Sequence, residues 1–519
     1  MTFSVLVAAL LLFSAFSLVF AVFVPREAAR SRSASLEKAA LGLTVFSLFV
    51  ALVGAVSTAF LGPISVQFLE IGAFHLGVYF DALSAILFAL ISFLGVVVAR
   101  FARNYLAGDA HVGRFFRGFC ITTGAALLLV ISGNLLLFTL AWMAMSLGLH
   151  GLLTLYPERA GAALAARKKF LISRLGDACL IGALVFSYRL FGSWDFETLF
   201  ARAAELKAAG VLPAEASAIA LFLVGGAMLK SAQFPFHSWL PDTMETPTPV
   251  SALMHAGIVN AGGFLIIRLS PLVSLAPLAL QILAIVGAFT AIFAAIVMTT
   301  QTSVKRSLAF STVAQMGFMM LQCGLGAFSV AVLHIVAHSL YKAHAFLSSG
   351  SNVAPAKGTL SMPSARPLSA GFVGAAFGCA LLVVTGVGAL LGITPEKEPG
   401  VLLLGAVLVL ALTQFLLGLW RGAFSPLFFG AGLGVVAAMS AAYFALHLAF
   451  SAMLRGAVPV SGAAANALEI ALCVLVLGAI AGVAAARSAR LPQWGRAFYV
   501  HALNGFYLHT YANRLLSRR

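Results

Sequence analysis

Lysine and histidine side chains sit inside stretches that are otherwise apolar, at spacings that suit ion transfer. Lys230 ends one such stretch, FLVGGAMLK, and His255 lies in the next, PTPVSALMHAGIV. A charged side chain at membrane depth costs ~2.5–3.5 kcal/mol on insertion scales, so it marks a functional pathway by default. Between the two come Pro235, Pro241, Pro247 and Pro249. Each proline removes a backbone donor and clashes with the preceding turn, so this segment cannot be one continuous helix. Broken backbone at membrane depth is tolerated only where protein buries it or where it lines a watery cavity. A broken helix with Lys230 on one side and His255 on the other therefore reads as part of an ion pathway. The plainer alternative is a lysine snorkelling to the interface.

Further along, HIVAHSLYKAHAF sets His334, His338 and Lys342 at i, i+4 and i+8. On a helix these form one polar stripe ~12 Å long. Titratable groups along an apolar helix suit a proton relay with water bridging the steps. The rivals are a His-x3-His zinc pair, which no carboxylate or cysteine neighbours, and histidines that merely hydrogen-bond between helices. Earlier, AARKKFLISRLGDACL places Lys168 and Lys169 at a helix start, followed by Arg174 and Asp177. The last two are i,i+3 and able to pair on one face. Lys305 and Arg306 stand at the mouth of another apolar stretch, with Ser311, Thr312 and Gln315 inside it as interhelical hydrogen-bonders.

The elements that must position these groups are membrane spans. The 519 residues are 61% hydrophobic and 9% charged, and mean hydropathy is +1.04. That leaves little room for a soluble domain. At ~20 apolar residues per span, about fifteen (13–16) transmembrane helices are expected. They start near 2–24, 39–61, 82–99, 118–132, 134–156, 170–190 and 216–235, and continue near 248–269, 278–300, 304–325, 328–350, 369–393, 401–420, 427–452 and 465–486. The first lacks a small-residue cleavage site before Arg26 and reads as a retained span.

The net charge of +16 reflects topology rather than nucleic-acid binding. Basic residues cluster in alternate loops (Arg26 to Lys38, Arg100 to Arg117, Arg159 to Lys168, Lys305–Arg306, Lys357 to Arg366, and from Arg487 on). The intervening loops are neutral or acidic, as at Glu70, Asp195 and Glu396. By the positive-inside rule the N-terminus is outside and the C-terminus cytoplasmic. The surplus charge adds attraction to anionic lipid of the bilayer. Cys120, Cys179, Cys323, Cys379 and Cys473 fall in apolar stretches at unrelated spacings, matching neither a disulfide framework nor a metal motif. No Walker loop, dinucleotide fingerprint or iron–sulfur cysteine cluster is present. Energy must come from an ion gradient or a partner, and no cofactor is expected in this chain.

The run LKSAQFPFHSWLPDTMETPTPVSALMHAGIV resembles the signature of the antiporter-like membrane subunits of complex I and of Mrp cation/proton antiporters. The resemblance covers roughly residues 75–350. It implies an all-α polytopic fold with antiporter-like inverted repeats and discontinuous helices. It also implies transport roles for Lys168 with Arg174–Asp177, for Lys230, and for the histidines and Lys342. The expected organisation is N-terminal helices over 1–117, an ion-conducting core over 118–353, C-terminal helices over 354–490 and a tail over 491–519. The ion pathway is then drawn from Lys168, Asp177, Lys230, Asp242, Glu245, His255, Lys305, His334, His338 and Lys342.

Two departures from that family stand out. Its fifth helix carries a glutamate directly after tryptophan, whereas here Met143 follows Trp142. Asp177, Asp242 and Glu245 are the available substitutes for the missing acid, and Glu245 sits within the helix break itself. The second departure is the ending. Instead of the long lateral helix of NuoL, the chain closes on LPQWGRAFYVHALNGFYLHTYANRLLSRR. Trp494, Phe498, Tyr499, Phe506, Tyr507 and Tyr511 make an aromatic face on an amphipathic helix, for a partner or the membrane surface.

These departures together resemble the DabB branch, the membrane subunits of DAB inorganic-carbon accumulation systems. That resemblance implies a cytoplasmic, zinc-containing DabA partner docked by the tail aromatics, and an H+ or Na+ current through this chain that powers it. The competing implications are an Mrp-type antiporter subunit and a NuoL-like proton pump in a complex I-like oxidoreductase. Met143 weighs against both.

Overall fold

The computed structural model describes residues 2–71, 74–350, 370–393, 399–421, 426–459 and 493–517, with isolated positions between 471 and 478. The expected span near 465–486, Cys473, Arg518 and Arg519 fall outside the described residues, apart from those isolated positions. Of Trp494 only the backbone is described.

The chain is a polytopic helical membrane protein, with eleven described helices long and apolar enough to cross a membrane. It begins with α1 (Thr2–Val19), the short α2 (Arg26–Ser31), α3 (Ser33–Leu61), α4 (Ala82–Tyr105), α5 (Val112–Ile131) and α6 (Leu135–Leu153). The middle runs through α7 (Ala160–Phe191), α8 (Phe196–Ala209), α9 (Ala214–Lys230), α10 (Trp239–Asp242), α11 (Thr248–Ala256), α12 (Ala261–Arg268) and α13 (Ser270–Val273). Then come α14 (Pro277–Thr300), α15 (Val304–Gly324), α16 (Phe328–Leu347), α17 (Ala370–Leu390), α18 (Pro399–Arg421) and α19 (Pro426–Met453). The tail forms α20 (Gln493–Leu503) and α21 (Leu508–Ser517). Every expected span from 2–24 to 427–452 has its helix.

One continuous apolar core joins α1 and α3 through α16, and a smaller cluster holds α17, α18 and α19 together. Lipid tails are as apolar as leucine, so close backbone approach between small residues drives helix association. On α14 and α15, a Cβ at Gly287 would lie 2.5 Å from Leu321 N, and one at Gly317 would lie 2.5 Å from Ala291 N. These glycines set the helix spacing.

Three features were not anticipated from the sequence. Strands β1 (Ile64–Ile71) and β2 (Phe74–Phe80) form an antiparallel hairpin. It caps one end of the bundle, with Gly133 N donating to Gly77 O at 3.1 Å. Beside it α8 is an amphipathic helix, capped by Asp195, that buries Phe196, Leu199 and Ala203. Last, the span after the prolines is broken again. Between α11 and α12 the chain makes a 3-10 turn at Ile258–Asn260. The freed carbonyls find side-chain donors: Asn260 Nδ2 gives to Ala256 O at 2.9 Å, and Ser231 Oγ gives to Val259 O at 2.7 Å. Backbone interrupted at membrane depth persists only when satisfied in this way.

The single tail helix expected from the sequence is corrected to two. They meet at an elbow where Phe506 and Tyr507 take positive φ values of 52° and 63°. Gln301 Nε2 donates to Leu503 O at 3.2 Å, which ties the tail to the end of α14.

Candidate ion pathway

The proline-rich break closes α9 at Lys230, which is 7% exposed. Its ammonium lies 4.4 Å from the centre of the Trp142 ring and meets no hydrogen-bond acceptor. On α7, Arg174 Nη2 pairs with Asp177 Oδ2 at 2.7 Å. The Asp177 carboxylate lies within electrostatic reach of Lys230 and Lys169. Lys169 is buried on the same helix and donates to Ser146 O at 2.5 Å and to Ser146 Oγ at 2.9 Å. The resemblance points to Lys168 rather than Lys169. Both are buried, but i,i+1 neighbours point to different faces, and only packing of α7 against α6 shows which lysine turns toward Ser146.

Lys168 instead forms an ion pair with Asp242 of α10, Nζ to Oδ2 2.5 Å. This pair stands at the end of the bundle where the tail lies. Phe506 of the elbow rests on Phe293, ring centres 5.6 Å apart, and Phe293 in turn packs on His237 at 4.9 Å. His509 of α21 feels the charges of Asp242, Arg306 and Lys168. Glu245 is placed elsewhere. It is exposed, and its carboxylate lies over Gly161, where an added Cβ would come within 2.3 Å of Oε1. That is the first turn of α7, where a negative group complements the helix dipole. The structure thus places Glu245 at the end of α7, apart from Lys230.

The second cluster is built by α11, α15 and α16. His255 is fully buried and its Nδ1 bonds Thr312 Oγ1 at 3.1 Å. Thr312 spends its own hydrogen on Leu308 O at 3.0 Å, so His255 is the donor and its Nε2 lone pair is left unmatched. Lys342, also fully buried, donates to Ser311 Oγ at 2.7 Å and Leu308 O at 3.2 Å. His338 and His334 follow on α16 with ring centres 5.9 Å apart. His334 Nδ1 bonds Gln322 Oε1 at 2.9 Å, and the Nε2 atoms of both rings lack partners. The two histidines face a cavity of about 450 Å3 walled on its far side by Leu408 and Tyr443. Among the described residues no trio of His, Cys, Asp or Glu gathers that could hold a metal. Lys305 sits at the start of α15 and donates to Thr248 Oγ1 at 3.1 Å, at the head of the helix that carries His255.

Between the clusters lies the second helix break. Asn260 Nδ2 also donates to Ser339 Oγ of α16 at 2.9 Å. A mainly apolar cavity of about 50 Å3, walled by Leu87, Leu90 and Phe264 among others, also touches Asn260 and Ser339. Asn260 was not singled out in the sequence, although Gly257 and Asn260 together signal a turn.

Fold and site define an antiporter-like membrane subunit, and comparison with known proteins agrees. Residues 132–417 match the family described as NADH:quinone oxidoreductase/Mrp antiporter, transmembrane. Residues 68–116 match the N-terminus of complex I chain 5. The chain is 37% identical to the probable inorganic carbon transporter subunit DabB2 of Halothiobacillus neapolitanus, over 98% of this chain and 93% of that protein. It is 42% identical to the probable inorganic carbon transporter subunit DabB of Hydrogenovibrio crunogenus, over 59% of this chain and 58% of that protein. A Mrp complex structure from Dietzia shares the fold at 23% identity and TM-score 0.59, covering 98% of this chain and 56% of that one. The chain belongs to this antiporter-like family, in the branch of DabB inorganic carbon transporter subunits.

Proposed function

We propose that this chain conducts a cation, H+ or Na+, and that the current drives inorganic-carbon accumulation by a cytoplasmic zinc-containing partner of the DabA type. The observation that carries the reading is the pair of buried clusters, Lys230 with Lys169 and Asp177, and His255 with Lys342, His338 and His334. They lie on either side of helix breaks, where transporter folds build their ion sites. A relative similar over the length of the chain is named as a subunit of an inorganic carbon transporter, which supports the coupling. Each proton entering under 100 mV releases ~2.3 kcal/mol, enough to bias CO2 hydration by more than tenfold. The hydration chemistry belongs to the partner, and this chain supplies the ion path in the inner membrane, with its tail on the cytoplasmic side. The test is uptake of labelled inorganic carbon by cells making both subunits. Uptake should collapse on adding a protonophore if H+ is the ion, or on removing sodium if Na+ is. Uptake indifferent to both would overturn the reading.

A further inference from the structure

Away from the pathway, a cavity of about 680 Å3 opens where α2, α5 and α6 meet. Arg26, Arg30, Arg114 and Arg117 line it, and Glu27 is the one carboxylate among its lining residues. Arg117 and Arg114 also serve the fold. Arg117 donates to Val24 O and Val22 O, both at 2.8 Å, and Arg114 to Leu155 O at 3.3 Å. Arg26 and Arg30 make no hydrogen bond or ion pair among the described residues, and the charge of Arg26 bears on both Arg114 and Arg117. The crowding is fixed by packing. A Cβ at Gly113 would lie 1.7 Å from Ala29 O, so glycine lets α2 press its arginines over the end of α5. Like charges held together by the fold call for an anion. The walls say which kind. Leu147 of α6 lines the cavity yet is 49% exposed on the lipid-facing side, and Phe20 and Phe23 at the end of α1 are 64% and 74% exposed.

We propose that this cavity seats the headgroup of an anionic phospholipid. Its phosphate sits among Arg26, Arg30 and Arg114, and its acyl chains run along Leu147 and the Phe20–Phe23 corner. Basic pockets between helices at a membrane face suit such headgroups, and guanidinium matches phosphate geometry with paired donors. The site is independent of which ion the chain conducts.

The test uses the full chain purified in detergent and stripped of lipid. Retention of added phosphatidylglycerol or diphosphatidylglycerol is followed by native mass spectrometry, with phosphatidylcholine as comparison. The expected result is retention of the anionic lipids over phosphatidylcholine, weakened roughly tenfold or more by Arg26→Gln with Arg30→Gln. The control pair Arg202→Gln with Lys207→Gln, on the exposed face of α8, should change nothing. Equal loss in both pairs would reduce the effect to general surface charge and overturn the site. Displacement of the lipid by millimolar inorganic phosphate or bicarbonate would overturn the lipid assignment in favour of a soluble anion.

Discussion

Lys230 holds its ammonium 4.4 Å from the centre of the Trp142 ring, where the related complex I and Mrp subunits place an acid one residue further on. A cation over a desolvated indole face gains ~2 kcal/mol or more. Unlike a carboxylate, the ring cannot take a proton. Whatever proton Lys230 releases must pass to Asp177, to Lys169 or to water. Trp142→Phe should keep most of the ion flux, whereas Trp142→Leu should lower it roughly tenfold at equal membrane abundance. Flux in reconstituted vesicles measures this, and equal flux in the two variants would remove the ring from the mechanism.

Of the three carboxylates that could replace the missing acid, Asp177 alone stands within reach of Lys230. Asp177→Asn should therefore cripple gradient-driven uptake, and Glu245→Gln, at the exposed end of α7, should cost little. The two uptake rates decide it. A crippled Glu245→Gln beside a healthy Asp177→Asn would mean that the break, rather than α7, supplies the acid.

The clusters were legible in the sequence because a lysine or histidine in an apolar stretch has few innocent explanations. Lys230, His255, His334, His338 and Lys342 all lie where the 3.6-residue period put them, inside helices. What the sequence concealed depends on contacts between distant segments. Lys168 and Lys169 are equivalent by composition, and only the packing of α7 on α6 and α10 sends one to Asp242 and the other to Ser146. Nor does the nearness of Glu245 to the break in sequence reveal the end of α7 that lies against it. The β1–β2 hairpin does alternate, as Ile64-Ser65-Val66-Gln67-Phe68 and Phe74-His75-Leu76-Gly77-Val78, but its runs are too short to mark a span and lie between two strong ones.

Arg268 and Asp81 make a buried two-point ion pair at 2.7 and 2.9 Å, joining the end of α12 to the cap of α4. Removing one partner strands a charge and typically costs ~3–5 kcal/mol. Asp81→Ala should thus lower the thermal unfolding midpoint sharply, while Asp81→Leu with Arg268→Met should recover much of it. Melting curves in detergent check both, and a harmless Asp81→Ala would show the pair to be solvated.

The tail offers two faces. Phe506 is committed to Phe293 and braced by Phe498, while Tyr499 and Tyr511 are 42% and 63% exposed. Tyr499→Asp with Tyr511→Asp should leave the tail docked yet release the partner on gentle purification; recovery of the intact complex would leave those aromatics to lipid. His509 adds a pH dependence. Burial, with Arg306 and Lys168, holds its pKa below 6.5 despite Asp242. Docking is then complete above the undocked value near 6.5 and weakens as pH falls toward the docked one. Hydrogen exchange in α21 should rise over that window in the wild type and stay flat in His509→Gln.

The ion path through Lys230 is the centre of the account, and Lys230→Ala tests it most directly. In cells making both subunits, labelled inorganic-carbon uptake is measured under an imposed gradient, with membrane abundance of the chain quantified alongside. The account predicts wild-type abundance and uptake reduced to background. Wild-type uptake by the Lys230→Ala protein would contradict it.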